Sequence, residues 1–463
     1  MKYALSIIAV LLVLLITATA VISSIIMDGK DKVTISAETI YGDESAARGI
    51  TLDMDTNYRR YLFWHTRYSV DAPETVQTEY TFYDIQQRFE HVDNSHPMEM
   101  QDDIKYGFDK SLNWGITKAY NELYAQVKPG EQKEMEITLS DYYDYYPLSV
   151  FINLPGSYKG WSSHVLYSSD ESLKNDHGRY ITPFTEYFRI PVLPESRLII
   201  SIGKSISGNS VSTGGGYSGE DHYYITTHSV KTEDAFYFVF DAHTNTDRLV
   251  DTSLIKGGFG IYKLPYTHSG KEYEVLVDSL QTVFTLDPYA YIIELEISDD
   301  GRLMYLYTIE NGIYTLTVID ATTYKQVQKL QIGKVGERED RYSHYRGDGF
   351  ITFMLDRFDL YVYTQNPDGT YSFGFKTEID RNDEEIYYLS KADLFLNCDG
   401  ERLVVCKLDT NKTDYSTYSL SMMVYTKDGL QYRGRYTPSL MAGGKSNDTV
   451  YFSNYDYLTI TFE

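Results

Sequence analysis

Cysteine is nearly absent: Cys398 and Cys406 are the only two in 463 residues. Small secreted domains lean on disulfides, but a chain this long buries a large core without them. Asp399-Gly400 lies between the two cysteines. A hairpin closed at that turn sets Cys398 opposite Glu401 and Cys406 far along the other strand, a poor geometry for a disulfide. Two unpaired, inert thiols are expected. Tryptophan is scarce as well, with 3 residues.

Catalytic and nucleotide signatures are missing too. Gly203-Lys204-Ser205 and Gly444-Lys445-Ser446 echo the end of a phosphate loop. The glycine that loop needs further upstream is Leu198 in one case and Ser439 in the other, which excludes both. No HExxH occurs, and His91-Val92-Asp93-Asn94-Ser95-His96 has no zinc-site spacing. Asp53-Met54-Asp55-Thr56-Asn57 opens like a calcium loop, but Tyr58 and Trp64 stand where Gly and Glu are required, so it reads as a strand-end turn. Ser218 follows Gly216 but precedes Glu220, not the glycine of a nucleophile elbow. Ser201-Ile202-Gly203-Lys204 fits S-x-x-K without its companion motifs. Arg346-Gly347-Asp348 reads as a polar hairpin loop. The sequons Asn411-Lys412-Thr413 and Asn447-Asp448-Thr449 matter only in a eukaryotic secretory host. No catalytic residue, cofactor site or metal site is assigned.

Charge is absent from Tyr3 to Met27. A helix needs about 20 apolar residues to cross a bilayer core, and this run suffices. Lys2 and the free amine precede it, while Asp28, Lys30, Asp31 and Lys32 after it cancel. The positive side stays in the cytoplasm, so the expected topology is a single pass through a cell membrane, N-terminus inside. Residues 3–27 then meet the lipid bilayer. Cleavage after Ala18-Thr19-Ala20, giving a secreted protein, is the alternative, but the run is longer than a signal peptide's apolar region.

What is abundant is acid and tyrosine. Lys2 is the only charge before Asp28, so 41 of the 42 Lys and Arg face all 66 Asp and Glu beyond it, a charge of −25. Such a surface repels phosphate backbones, and nucleic acid is excluded as a partner. The 46 tyrosines suit pleated, half-buried surfaces, with the ring packed and the hydroxyl wet. The functional counterpart is an aromatic face for a glycan or peptide, suggested by Tyr142-Tyr143-Asp144-Tyr145-Tyr146-Pro147.

From Tyr223 onward, short β-branched or alternating runs are separated by turn signals. The clearest unit, Tyr291 to Gly333, has four such runs joined at Asp300-Gly301, Asn311-Gly312 and Asp320 to Tyr324. Asp-Gly pairs recur at Asp348 and Asp399 as first-to-second strand turns, and turns near Asp368 and Asp428 match that at Asp320. A looser copy has strands near Ala235–Asp241, Phe259–Tyr266 and Glu272–Val277. Four strands repeating every 40–50 residues or so predict β-propeller blades. The segment Val318-Ile319-Asp320-Ala321-Thr322-Thr323-Tyr324-Lys325-Gln326-Val327, closing with Leu330-Gln331-Ile332-Gly333, resembles the third-to-fourth strand segment of YVTN-type propeller repeats. The resemblance covers one blade. It implies fold and no activity.

The expected class is therefore all-β: a β-propeller-like ectodomain of four-stranded antiparallel blades after one N-terminal transmembrane helix. Residues 1–27 form the anchor, 28–222 a β-rich membrane-proximal region or early blades, and 223–463 the blades and closing strands. Within 28–222 one helix is expected at 111–127, with Leu112, Ile116, Tyr120, Leu123 and Val127 on one face. Strands are expected around Thr51–Met54, Tyr61–Val70, Glu134–Leu139, Leu148–Leu154 and Leu198–Ile202. Gly203 to Gly219, rich in Ser and Gly, reads as a flexible loop or boundary. The last full blade ends near Tyr436, yet Thr449–Phe452 and Tyr457–Phe462 follow. These two strands are expected to complete a blade begun by N-terminal residues within 33–200, because an unpaired edge invites aggregation. The function expected is a non-catalytic extracytoplasmic binding domain for an extracellular protein or glycan. The alternative is an exported glycan- or peptide-active hydrolase or lyase.

Overall fold

The computed structural model describes residues 2–30, 34–58, 62–82, 97–102, 116–152, 178–219, 221–269, 272–336, 342–355, 359–379, 394–410, 417–438, 450–451 and 458–462. Helix α1 (Lys2–Lys30) opens the chain; its stretch Ile7–Ser24 is long and apolar enough to cross a membrane and is unburied by protein throughout. After it come β1 (Ile35–Gly42), β2 (Ile50–Tyr58), β3 (Leu62–Ser69), β4 (Gln77–Phe82) and β5 (Met98–Asp102). Helix α2 (Thr117–Gln126), β6 (Gln132–Thr138), β7 (Leu148–Ile152), helix α3 (Gly178–Phe188), β8 (Arg197–Lys204) and β9 (Val211–Ser218) follow. Next are β10 (Thr227–Lys231), β11 (Ala235–Phe240), β12 (Gly260–Ser269), β13 (Glu272–Val275) and β14 (Gln281–Thr285). One meander comprises β15 (Tyr291–Ile297), β16 (Leu303–Glu310), β17 (Ile313–Asp320) and β18 (Gln326–Lys334), and another β19 (Tyr342–Gly347), β20 (Phe350–Leu355), β21 (Asp359–Gln365) and β22 (Tyr371–Glu378). The chain closes with β23 (Leu394–Cys398), β24 (Leu403–Thr410), β25 (Thr417–Thr426), β26 (Gly429–Pro438), β27 (Val450–Tyr451) and β28 (Leu458–Phe462).

The fold is all-β, built of four-stranded antiparallel sheets with the order of propeller blades. The Asp-Gly pairs at Asp300, Asp348 and Asp399 stand at first-to-second strand tips, and Asp320, Asp368 and Asp428 at third-to-fourth ones. The reason is local. Asn311 and Gly312 have φ of 52° and 74°, the left-handed pair that a two-residue hairpin needs. At the neighbouring tip the Asp300 carboxylate accepts the Arg302 amide at 3.0 Å.

Two compact units emerge, one of Met1–His91 with Lys334–Glu463 and one of Val92–Gly333. In the first, β19–β22 form one sheet, and β23–β26 another whose outer strand is joined by β1. In its third sheet, β2, β3 and β4 are completed from the far end of the chain. Leu52 lies opposite Ile460 and Ile50 opposite Phe462, while β27 pairs with Asn57 and Tyr58. The expected closure by the tail is thus present. Ile50, Leu52, Leu458 and Ile460 share one core with Val404, Met422 and Tyr436. Arg402 fastens the same ends. It donates to the carbonyls of Ala46 and Arg48 at 3.1 and 2.7 Å, and its guanidinium lies over the Phe462 ring.

In the second unit β15–β18 form one regular sheet, and β10–β14 a looser one in which both β13 and β14 pair with β12. Helix α2 buries Ile116, Ala119, Tyr120, Leu123 and Val127 against Leu198, Ile200 and Ile202, the face expected from its periodicity; residues 111–115 lie outside the described residues.

Four expectations are corrected. The Ser- and Gly-rich 203–219 is a hairpin and not a flexible loop: only 205–210 turn, and β9 pairs with β8 in unbroken register from Arg197↔Ser218 to Lys204↔Val211. Backbone ladders need no side chains, so Gly214, Gly215 and Gly216 are no obstacle at a sheet edge. A second helix, α3, joins α2. Its internal Pro183 reads as a breaker, but Phe184, Tyr187 and Phe188 bury into a large aromatic core. Asp53–Asn57 is the middle of β2 and no turn, held by strands on both sides. Cys398 lies opposite Leu403, not Glu401, because the connection spans Asp399–Arg402. Both cysteines are free, and burial pushes the Cys398 thiol up to about 11.

Candidate functional site

Most residues singled out in the sequence now have a place. Lys204 donates from Nζ to the Tyr124 carbonyl at 2.8 Å and sits 3.7 Å over the Tyr124 ring, a structural role. Ser218 donates to Glu136 Oε1 at 2.6 Å, and Ser201 accepts from Gln132. Asp53 pairs with His65 at 3.4 Å. Arg346 and Gly347 end β19, and Asp348 occupies the hairpin turn. His91–His96, Gly444–Ser446, Asn411–Thr413 and Asn447–Thr449 lie outside the described residues. The Tyr142–Tyr146 run is packed, not displayed. Tyr142, Tyr143 and Tyr145 are half-buried, and Tyr146 is fully buried with its hydroxyl 2.9 Å from Ser196 Oγ.

A different aromatic group, missed in the sequence, is displayed in the unit of Val92–Gly333. It begins at the end of β9. Tyr217 projects toward β5 and donates its phenol to the Asp102 carboxylate. Burial first, then the neighbouring carboxylate, holds that phenol well above its usual range, so it stays protonated and donating. The His222 ring lies parallel to Tyr217, centroids 5.8 Å apart, and Tyr224 meets both edge-on, at 4.2 Å from His222 and 5.5 Å from Tyr217. Tyr224 is 55% exposed while its neighbour Tyr223 is 1% exposed.

Long-range packing explains this split. Tyr223 turns inward, packs edge-on against Tyr146 and donates to the Asp241 carbonyl at 3.0 Å, so Tyr224 must turn outward. The segment is tied down on its other side too. The His222 amide donates to Asn245 Oδ1 at 2.8 Å, and the Asn245 amide to the His222 carbonyl at 3.1 Å. Asp221 accepts from Thr246 Oγ1 at 2.7 Å and lies 3.6 Å from Arg248, which also pairs with Glu195. The result is a rigid ledge: one exposed ring, two rings supporting it, and a polar rim.

A second feature is the pair Asp241–His243. His243 Nδ1 lies 2.6 Å from Asp241 Oδ1, and the imidazole stacks on Tyr291 at 3.8 Å. The carboxylate orients the ring as it would in a general base. His243 is buried, however, and no hydroxyl or thiol nucleophile among the described residues bonds to it.

No protein-family model matches the chain, and no curated protein does. Among solved structures, a putative 6-phosphogluconolactonase from Bacteroides fragilis is 9% identical over 83% of this chain and 93% of that one, with a TM-score of 0.31. Another from Bacteroides uniformis is also 9% identical, over 89% and 99%, again at 0.31. The WD40 domain of SCAP from fission yeast is 8% identical over 83% and 73%, at 0.24. At such scores the fold assignment rests on the sheets themselves.

Proposed function

We propose that this is a membrane-tethered binding protein whose β-rich domain lies outside the cytosol and recognises a partner without transforming it. The observation that carries the reading is the ledge: an exposed tyrosine on a pre-ordered support, a construction suited to contact and not to bond-breaking. The tether is α1, and its direction follows from Lys2 on one flank and the strongly acidic chain on the other. Protease added to intact cells should remove a C-terminal tag; a tag protected until lysis overturns the placement. A second reading, an exported glycan- or peptide-active hydrolase or lyase, draws on the Asp241–His243 pair. If it held, His243→Ala would abolish turnover of a glycan or peptide pool incubated with the full chain. The binding reading expects no products from either form.

A further inference from the structure

Strand β9 leaves an edge of main chain open. Its sheet has the order β6, β8, β9, so among the described residues β9 is laddered on its β8 side alone. Two contacts fix which groups face outward. The Ser205 amide donates to the Ser210 carbonyl at 2.9 Å, and the Lys204 amide donates the other way, to the Glu131 carbonyl on the β6 side, at 3.0 Å. Bonded pairs alternate along an antiparallel ladder, so Ser212, Gly214, Gly216 and Ser218 turn their main chain to β8. The amides and carbonyls of Val211, Thr213, Gly215 and Tyr217 point away from it. Gly215 and Gly216 are exposed, and a glycine has only main chain to expose. Such edges are normally blunted by charge, proline or a bulge. From Val211 to Ser218 there is no charge and no proline, and the register has no shift.

The sheet face beside that edge selects a partner. Cross-strand register places Glu134, Ser201 and Gly214 in one row and Glu136, Ile199 and Gly216 in the next. Each row runs from an exposed glutamate on β6 to a glycine on the edge. The Glu136 carboxylate already reaches that far, since it accepts from Ser218 Oγ on β9 at 2.6 Å. The neighbouring cation, Arg197, is turned to the carbonyls of Pro194 and Ser196. Negative charge thus stands beside the open edge at the two-residue spacing of a strand. A second copy of this chain would bring a charge of −25 against its own like.

We infer that β9 accepts an extended basic peptide as an added strand, with Lys or Arg at alternate positions. Its main chain completes the ladder at Val211, Thr213, Gly215 and Tyr217. Its long cationic side chains lie across Gly214 and Gly216 toward Glu134 and Glu136. The inference goes beyond the ledge, because it draws on main chain and two glutamates and not on the Tyr224 ring.

The test uses the full chain in nanodiscs of zwitterionic lipid. The probes are a fluorescent peptide of alternating Lys and Thr, its Glu-for-Lys counterpart, and a copy N-methylated at every amide, which keeps the charge but cannot donate to an edge. The first should bind and the other two should not. Thr213→Pro removes an outward amide that no ladder bond uses, and should weaken binding about tenfold or more. Gly216→Lys should weaken it and Gly216→Glu tighten it, each about threefold. A side chain at Gly216 meets nothing within 4 Å, so both variants should fold as the parent chain does, and they carry the test should Thr213→Pro fail to fold. Tyr224→Ala should change nothing. The inference is overturned if the Lys-Thr peptide does not bind, if the methylated copy binds as well, or if the Gly216 pair shifts binding in neither direction. Binding lost in Tyr224→Ala and kept in Thr213→Pro moves the site to the ledge, so the edge is wrong while the binding reading survives. A chain that dimerises, turns monomeric in Thr213→Pro and binds no peptide gives the edge to a second copy and overturns the inference too.

Discussion

Strands β2 and β5 face the same problem with different answers. Each has an edge that would otherwise expose unpaired amides and carbonyls. Strand β2 is covered by main chain: β28 and β27 arrive from about 400 residues away and add a ladder. Among the described residues, strand β5 is paired by main chain on its β7 side only. On the other side two hydroxyls of β10 take the place of a ladder. Ser229 Oγ accepts the Met98 amide at 3.1 Å and donates to the Met98 carbonyl at 2.5 Å. Thr227 Oγ1 does the same for Met100, at 3.1 Å each way. A ladder carries apolar side chains with it and so builds core as it covers an edge. Hydroxyl bridges satisfy the edge but add little apolar area. The first device should therefore hold the larger share of stability.

That difference can be broken at its strong end first. Removing residues 447–463 strips β2 of its ladder and takes the buried Leu458 and Ile460 out of the core. Losing two such side chains costs roughly 5 kcal/mol or more. The melting temperature should fall by about 10–20 °C for a unit of this size. An unchanged melting temperature would mean that the tail is an ornament on β2.

The hydroxyl device should prove weaker and more local. Thr227→Val with Ser229→Ala orphans the amides and carbonyls of Met98 and Met100, at a cost of about 2–4 kcal/mol. Hydrogen exchange at those two amides should accelerate while amides of β15–β18 keep their protection. Uniform acceleration across the unit would show that β5 is integral to it.

A smaller effect sharpens the picture of the core that the tail helps to build. Tyr68 is buried there, and its hydroxyl has no hydrogen-bond partner among the described residues. Burial, reinforced by Glu44 and Tyr432, pushes its phenol up to about 12. The unfolded chain ionises this group near pH 10, so between about 10 and 12 the unfolded state binds fewer protons than the folded one. The stability it contributes is complete below pH 10 and is lost as pH rises through 12. Tyr68→Phe should flatten that part of an alkaline melting curve. At neutral pH it should be neutral or stabilising by about 1 kcal/mol, since it removes an unsatisfied hydroxyl. A neutral-pH loss well above that would reveal a partner for the hydroxyl.

The smallest effect is expected at the edge strand β9. A side chain at Gly216 would meet nothing within 4 Å, and its backbone is not in the left-handed region. Gly216→Val should raise stability by about 0.5–1 kcal/mol, through reduced freedom of the unfolded chain. Calorimetry showing a loss would mean that the glycine is needed by something beyond the described packing.

How much could be read in advance varied with the range of the forces involved. The ledge was not legible. Tyr142–Tyr146 attracted notice as a run, but a run says nothing about which rings face outward, and Tyr146 went to the core. Tyr224 is exposed because Tyr223 is committed to Tyr146 and Asp241, partners 77 and 18 residues away along the chain. The one local hint, four aromatic rings within eight residues directly after a glycine-rich stretch, was masked by reading that stretch as a loop. Helix α3 was hidden in a similar way, since Pro183 argues locally against the helix that Phe184 and Phe188 stabilise through the core.

What the sequence determined by itself was everything that a few neighbouring residues decide. Uncharged length made α1, a 3.6-residue period placed the buried face of α2, and the Asp-Gly and Asn-Gly pairs set the hairpin tips, because φ > 0 is a property of single residues. Only the tertiary structure decided which strand each edge would accept, that it is β2 which receives the tail, that β1 extends the sheet of β23–β26, and which tyrosines point outward. Backbone edges are chemically alike, so their pairing is chosen by the burial of side chains far apart in sequence, a sum that no short window contains.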